Sequence, residues 1–209
     1  LSQAPSVLAM FENDKGIYPK TTGTVILGED QGGTFATGVT QNIPILAQSA
    51  NQGIAVARAE VDSLVRRIPL LLRTPDGWVP AFSTEVLKIL AGADTYVIRT
   101  NDNGLEEIRV KGLPAVPVDS LGRKWISFVN TSQTDLQEMD VEGRFVFVGF
   151  TAKGIMPQLS TPVGYLEPHK IQAALAESIL IENSPYVPDY ALAVETGILL
   201  VSMGLMWLI

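Results

Sequence analysis

The chain has 209 residues, 22 acidic and 15 basic side chains, a net charge of −7 and a mean hydropathy of +0.23. This length and a hydrophobic content of 46% allow a buried core and exclude disorder as the main state. The acidic balance excludes a general nucleic-acid binder, and the lack of cysteine and the single histidine, His169, exclude thiol catalysis, disulfides and multi-histidine metal sites.

Strands dominate the first part of the predicted structure. Residues 6–12 form a short apolar run that is typical of a strand. The glycine- and threonine-rich residues 13–40 predict a long loop that contains one strand near residues 25–27. Residues 43–48 predict a helical turn, and the alternating residues 53–59 predict a further strand.

The next segment combines a strand, a turn and a helix. The apolar and β-branched residues 65–73 predict a strand, which Pro69 restricts to a sheet edge or a bulge. A turn follows at residues 75–77, where proline, aspartate and glycine stand together. The spacing of apolar residues predicts a helix over 80–90 with Ser83 as its N-cap.

The clearest local signal is a hairpin. Residues 95–100 and 105–110 both alternate, and the sequence Asn-Asp-Asn-Gly at 101–104 is typical of a tight turn between antiparallel strands. Residues 124–130 predict another strand. Residues 144–150, which read RFVFVGF, are nearly all apolar and predict a central strand covered on both faces.

A helix is predicted over residues 168–183, with Pro168 in its first turn. Its apolar spacing predicts an inward stripe made of Ile171, Ala174, Leu175, Ser178 and Ile179. Strands with a few helices between them, one of which follows the most apolar strand, predict an α/β fold: a mixed β-sheet with covering helices.

The last twenty residues, 190–209, differ from the rest because Glu195 is their only charge. As a helix they would extend about 30 Å, the thickness of a bilayer core, which predicts a transmembrane helix over 189–209. The other interpretation is a buried C-terminal helix of a globular protein. Because no lysine or arginine follows Lys170, residues 1–188 are expected on the outer side of the membrane. The N-terminus lacks a signal peptide, so a piece of a longer membrane protein is expected.

A polar loop after the predicted central strand is the candidate binding site. Residues 149–164 leave the carboxyl end of that strand and lead to a helix, and open α/β sheets bind ligands at that edge. Thr151 and Lys153 are able to hold an anion there, together with His169 near the helix N-terminus. The alternative is an ordinary connection whose path is fixed by Gly154 and two prolines.

Two other groups of residues carry a less specific signal. A serine hydrolase would have to use His169 as its base, with Ser160 or Ser178 as the nucleophile. Asp62 with Arg66 and Arg67 predicts a capped turn and surface ion pairs rather than an anion site.

Three segments carry a resemblance to a known family. Residues 59–90 contain D..VRR.PL, residues 142–164 contain FVFVG.TA.G followed by Thr161, and residues 167–180 contain HKIQA, which begins at His169. In this order they resemble the CHASE-type-2 domain, the cyclase/histidine-kinase-associated sensory extracellular domain. The resemblance covers most of the chain after about residue 50.

Two features depart from the family pattern. The family's N-terminal span, and its strand with aspartate-serine and Trp-Pro elements, have no counterpart here, so Leu1 is expected to fall inside the domain. Met156 and Pro157 stand where an acid commonly follows the TA.G element. A ligand site that depends on that acid is therefore not expected here, and no binding residue is carried over from the family.

The resemblance implies the extracytoplasmic input domain of a bacterial membrane signalling protein, at the inner membrane, with a cytoplasmic adenylate cyclase, histidine kinase or Ser/Thr kinase as output. The segment itself is expected to be no enzyme and to need no cofactor or metal. The expected partners are a small-molecule or envelope ligand, the membrane and a second copy in a homodimer, without nucleic acid. An envelope binding or assembly module and an anchored hydrolase are the alternatives. The residues expected to contact a ligand are Thr151, Lys153, Ser160, Thr161 and His169.

Overall fold

A computed structural model describes residues 5–128, 143–152, 157–182, 185 and 190–208. These residues form an α/β arrangement of several small sheets with four helices. The strands are β1 (Val7–Ile17), β2 (Gly23–Leu27), β3 (Thr34–Phe35), β4 (Val39–Thr40), β5 (Asn51–Ile54), β6 (Arg67–Pro69), β7 (Leu71–Thr74), β8 (Gly77–Pro80), β9 (Thr95–Asn101), β10 (Gly104–Val110), β11 (Ala115–Pro117), β12 (Arg123–Trp125), β13 (Leu159–Thr161) and β14 (Gly164–Leu166). The helices are α1 (Pro44–Ala47), α2 (Phe82–Leu90), α3 (Pro168–Leu180) and α4 (Ala191–Leu208).

Three of the described sheets are mixed, as the sequence predicts, but the described strands are divided among five sheets instead of one. In the order β4-β1-β5, β1 runs antiparallel to β4 and parallel to β5. In the order β11-β10-β9-β2, β9 runs parallel to β2 and antiparallel to β10. In the order β3-β7-β8, β7 runs parallel to β3 and antiparallel to β8, and the two-stranded sheets are β12-β6 and β13-β14.

The predicted hairpin at residues 95–110 is confirmed. Strands β9 and β10 pair Ile98 with Ile108 and Tyr96 with Val110, and these four side chains are buried. Gly104 has a φ of +126°, which explains why the turn ends on glycine. On the buried face of this hairpin, the Tyr96 hydroxyl donates to the buried Glu85 carboxylate of α2 at 2.8 Å. This hydrogen bond connects the helix to the sheet.

The single strand predicted over 65–73 is two strands, and the prediction is wrong at that point. The strand is interrupted at Leu70, whose N–H donates to the carbonyl of Gly122 at 3.0 Å. Strand β6 then pairs with β12, whereas β7 pairs with β3 and β8. All of Leu70, Leu71 and Leu72 are buried, so the apolar run serves the core on both sides of the break.

Both longer helices of the domain lie where they are predicted, with different ends. The N-cap of α2 is Ala81 and not Ser83, which lies within the first turn. Helix α3 ends earlier than predicted, and Glu182 follows it with a φ of +52°. The predicted inward stripe of α3 is confirmed, because all five of its residues are buried: Ile171, Ala174, Leu175, Ser178 and Ile179.

Other strand boundaries depart from the prediction. The loop over 13–40 holds β3 and β4 besides the predicted β2. Alternation over 53–59 yields only the end of β5, because its parallel partner β1 pairs with residues up to Ile54. Strand β12 is shorter than the predicted 124–130, of which residues 129 and 130 lie outside the described residues.

The central strand predicted over 144–150 is wrong. These residues are irregular, and six of the seven are exposed, Val148 to 76% and Phe150 to 71%. A strand needs neighbours that take up its peptide groups. No described residue outside the segment hydrogen-bonds to this backbone, so a high β-propensity alone does not make it a strand.

Helix α4 covers most of the predicted span, and its apolar side chains are exposed around the helix, from Leu192 to Trp207. In the part of the chain that the structure describes, no helix combines the length and apolar character needed to cross a membrane. The predicted transmembrane helix over 189–209 is therefore not confirmed.

Candidate functional site

The candidate site lies where residues 143–152 cross the N-terminal ends of α2 and α3. The Phe147 ring meets Phe82, the first residue of α2, edge to face, with ring centroids 5.8 Å apart. Two residues later, Gly149 lies against His169, the second residue of α3. A Cβ on Gly149 would overlap the imidazole ring, so this contact requires glycine.

A buried group of hydrogen bonds joins the same two helix ends. The Ser83 hydroxyl lies 2.6 Å from the side-chain oxygen of Gln172 and 2.7 Å from its main-chain oxygen. The Gln172 amide then donates to the carbonyl of Val56 at 2.7 Å. Ser83 and Gln172 are both buried, so this group fixes the first turns of α2 and α3 relative to each other.

A carboxylate lies at the start of α3. Glu167, the N-cap, accepts from the Lys170 ammonium at 2.9 Å and from the Gln158 amide at 3.1 Å. The hydrogen bond from Lys170, with support from its own backbone and Gln158, lowers the pKa of Glu167 to about 2. The group is therefore ionised at neutral pH and neutralises Lys170.

His169 lies between this carboxylate and Gly149 and is partly buried. Burial lowers the pKa of its imidazole, and Lys170 acts in the same direction, while Glu167 opposes them. The ring is thus held neutral at pH 7, with one nitrogen as a donor and the other as an acceptor. This arrangement offers hydrogen bonds to a ligand rather than a positive charge.

The structure places the predicted ligand residues in different settings. Thr151 is exposed, two residues beyond the contact of Gly149 with His169. The Thr161 hydroxyl is buried and donates to the carbonyl of Gly164 at 2.6 Å, within the turn between β13 and β14. Ser160 joins that hairpin to the core through its main-chain oxygen, and Lys153 lies outside the described residues. Among the four of these residues that the structure describes, His169 and Thr151 border the crossing.

The arrangement proposed for a serine hydrolase is wrong for Ser178. Ser178 and His169 are nine positions apart on α3, about 13.5 Å along the axis. The Ser178 hydroxyl donates to the carbonyl of Ala174 at 2.6 Å and accepts the N–H of Ser127 at 2.9 Å. Ser178 therefore fixes the last turns of α3 to the neighbouring backbone.

The ion pairs predicted around Asp62 are confirmed. Asp62 accepts the N–H of Leu64 at 3.2 Å and pairs with Arg66. Arg67 pairs with Glu60 at 2.7 Å and with Asp119 at 3.1 Å. Arg66 and Arg67 are thus engaged by acids of the same surface, as expected for a structural group.

Several residues of the site were missed by sequence reasoning, among them Gly149, Gln158 and Glu167. Glu167 carries a signal that could have identified it, because an acid before a proline at a helix start, with a lysine three positions on, is typical of a paired N-terminus. Gln158 and Gly149 carry none, since their contacts depend on how separate segments meet.

Comparison with known proteins gives one match. The family model of the CHASE2 domain matches residues 7–209. No curated protein matches the chain. No solved structure matches it either.

Proposed function

The chain belongs to the CHASE2 domain family, a family of extracellular sensory domains, and on that premise we propose that it detects a ligand outside the cell and regulates a cytoplasmic adenylate cyclase or protein kinase. The family match over residues 7–209 is the observation that carries this proposal. A sensory domain does no chemistry itself, since its ligand acts by favouring one conformation over another.

The crossing of residues 143–152 over α2 and α3 is the proposed ligand site. It joins a partly buried, neutral imidazole at His169 to the exposed hydroxyl of Thr151. Lys170, the residue after His169, is already neutralised by Glu167. These features support a polar, uncharged ligand held by hydrogen bonds. A role for Lys153 in binding an anion stays a prediction from the sequence.

The C-terminal segment, residues 189–209, is proposed to attach the domain to the bacterial inner membrane, with the rest of the domain on the outer side. The support is the apolar surface of α4, where Leu192, Met206 and Trp207 are exposed to 74%, 82% and 92%. A lipid environment would cover that surface. Extraction of cell membranes at alkaline pH tests the attachment: recovery of the chain in the soluble fraction would contradict it.

Ligand binding is tested by thermal unfolding of the purified chain against a panel of small polar metabolites. A ligand that raises Tm should lose that effect in His169→Ala and Thr151→Ala. Thr95→Ala, at an exposed threonine of β9, is the matched control and should keep the effect. A shift in Tm that survives both site variants would place the ligand elsewhere.

Signal output is tested on the full-length protein in membrane vesicles, as cyclic AMP formation and as phosphate transfer from ATP. The ligand found by thermal unfolding should change one of these activities, and His169→Ala should abolish the change. An output that ignores every binding ligand would contradict a sensory role.

A further inference from the structure

The imidazole of His169 is partly covered by the crossing segment, as we call residues 143–152. The main chain of Gly149 lies so close to this ring that a Cβ at position 149 would overlap it. Two residues earlier, the Phe147 ring meets Phe82 of α2, with ring centroids 5.8 Å apart. These two contacts dock the segment on the starts of α2 and α3, and the first of them keeps water from part of the imidazole.

The charges next to His169 on its own helix give little support to an imidazolium. Lys170 disfavours a proton on the ring, and Glu167 favours one. The Glu167 carboxylate already accepts from the Lys170 ammonium at 2.9 Å and from the Gln158 amide at 3.1 Å. Burial outweighs both charges in its effect on the ring. A proton on His169 is therefore costly as long as the ring stays covered.

The other elements that meet at the crossing do not supply the missing negative charge. Their titratable side chains are Arg144 of the crossing segment, Glu85 and Lys88 of α2, and Tyr165 of the β13–β14 hairpin. The arginine has the same sign as an imidazolium, the acid and the lysine of α2 pair with each other at 2.8 Å, and the tyrosine titrates only near pH 10. Among the described residues, the charges that act on His169 are those of Glu167 and Lys170.

We propose that the crossing segment is a pH-sensitive latch, docked on α2 and α3 while His169 is neutral and released when the imidazole is protonated. This inference rests on the proposed signalling function and adds a regulation of the proposed ligand site. An imidazolium needs water or a negative partner, and the docked Gly149 restricts its access to water. Release of Gly149 hydrates the ring, so protonation and release favour each other.

The direction of the pH dependence follows from the burial of the ring. In the docked state, burial lowers the pKa of His169 below its usual value of 6.5. In the released state, the hydrated ring returns towards that value. Docking is therefore fully favoured above pH 6.5 and weakens as the pH falls below it, by at most about tenfold for each unit between the two pKa values. A domain outside the cell would meet such acidification directly.

The single histidine allows a direct test by NMR, because the imidazole resonances of an untagged chain in detergent micelles come from His169 alone. Titration of the wild type should give a pKa below 6.5. Gly149→Ala, whose methyl group does not fit against the ring, should raise that pKa towards 6.5. Phe147→Ala, which removes the contact with Phe82, should do the same without a change at Gly149.

Val148→Ala is the matched control, because this neighbouring side chain is exposed to 76%, and the variant should keep the pKa of the wild type. Far-ultraviolet circular dichroism identifies variants that retain the fold. A pKa of 6.5 or higher in the wild type would overturn the proposal. A pKa that neither Gly149→Ala nor Phe147→Ala raises would also overturn it.

The signalling consequence is measured on the full-length protein in inside-out vesicles, whose lumen is brought from pH 7.5 to pH 5.5 while the outer medium stays at pH 7.5. The output of the wild type should change with the lumenal pH, and His169→Asn should remove most of that change, because an amide does not titrate. Gly149→Ala should show at pH 7.5 the output that the wild type shows at pH 5.5. A wild type that responds to a ligand but not to pH would overturn the latch and leave the sensory function intact, so the two failures are distinguishable.

Discussion

Replacing Glu167 with glutamine should destabilise the chain at neutral pH and reduce its sensitivity to acid. The carboxylate pairs with Lys170 at 2.9 Å, and its pKa falls from 4.5 to about 2 in the folded state. A difference of about 2.5 in pKa corresponds to about 3.4 kcal/mol, an upper limit. The Glu167 side chain is 14% exposed and Lys170 22%, so water screens the pair, and we expect a loss of about 1–2 kcal/mol.

The sign of the pH dependence follows from the lowered pKa. The unfolded carboxyl binds protons more tightly than the folded one, so its contribution is fully present above pH 4.5 and is lost as pH falls towards about 2. The free energy of unfolding, measured by urea titration with tryptophan fluorescence, should therefore differ between Glu167→Gln and wild type at pH 7. At pH 2.5, which is still above the folded pKa, the difference should have fallen to about a quarter of its value at pH 7.

Glu106→Gln is the matched control, because Glu106 is an exposed carboxylate of β10 without an ion pair among the described residues. It should leave stability unchanged at both pH values. A Glu167→Gln variant that is equally destabilised at pH 7 and pH 2.5 would refute the electrostatic account, since the loss would then come from packing.

Three further predictions concern stability, measured in each case by urea unfolding. Thr84→Val should stabilise the chain by about 1 kcal/mol, because the buried Thr84 hydroxyl has no partner among the described residues. Thr74→Val should destabilise the chain by a similar amount, because the Thr74 hydroxyl donates to the carbonyl of Gly77 at 2.9 Å. A loss of stability in Thr84→Val together with a gain in Thr74→Val would contradict this explanation. Ser63→Gly should gain about 1 kcal/mol because Ser63 has a φ of +65°, and Ser63→Ala should gain nothing. Gln172→Leu should cost about 2–4 kcal/mol, since it leaves buried groups of two neighbours unpaired, and a neutral result would show that these bonds carry no net stability.

Elements fixed by local signals could be predicted from the sequence. The β9–β10 hairpin follows from Asn-Gly between alternating runs, and its turn needs the positive φ of Gly104. The buried face of α3 follows from apolar residues at helical spacing. The ion pair of Asp62 with Arg66 follows from their separation of four residues. In each case the partners lie within a few residues of each other.

Features that depend on distant partners could not be predicted. The apolar run over 65–73 divides because its first part pairs with β12 and its second part with β3 and β8, and no residue near Leu70 indicates these distant partners. Residues 144–150 satisfy every local rule for a central strand, yet no described neighbour pairs with them. The same limit applies to the site, where His169 could be placed at a helix start but its contact with Gly149 could not.

The hydrogen bonds that hold α3 in place also set the free energy that a ligand must supply to move this helix. His169 lies three residues before Gln172, so a ligand that displaces the first turn strains the bonds of Gln172 to Ser83 and Val56. At its other end, α3 is tied to the backbone of Ser127 through Ser178. If about three such bonds of roughly 1 kcal/mol each oppose movement, the ligand must prefer the moved state by about 3 kcal/mol, or about 150-fold.

Weaker hydrogen bonding between α3 and α2 should lower the free energy that the ligand must supply. Gln172→Leu removes two of the restraints, so α3 should reach its moved position more often without ligand. The variant should then show a raised basal output in membrane vesicles and a smaller response to ligand, in addition to its lower stability. Glu106→Gln should change neither. A Gln172→Leu protein that is destabilised but keeps the basal output and full response of the wild type would show that α3 does not carry the signal.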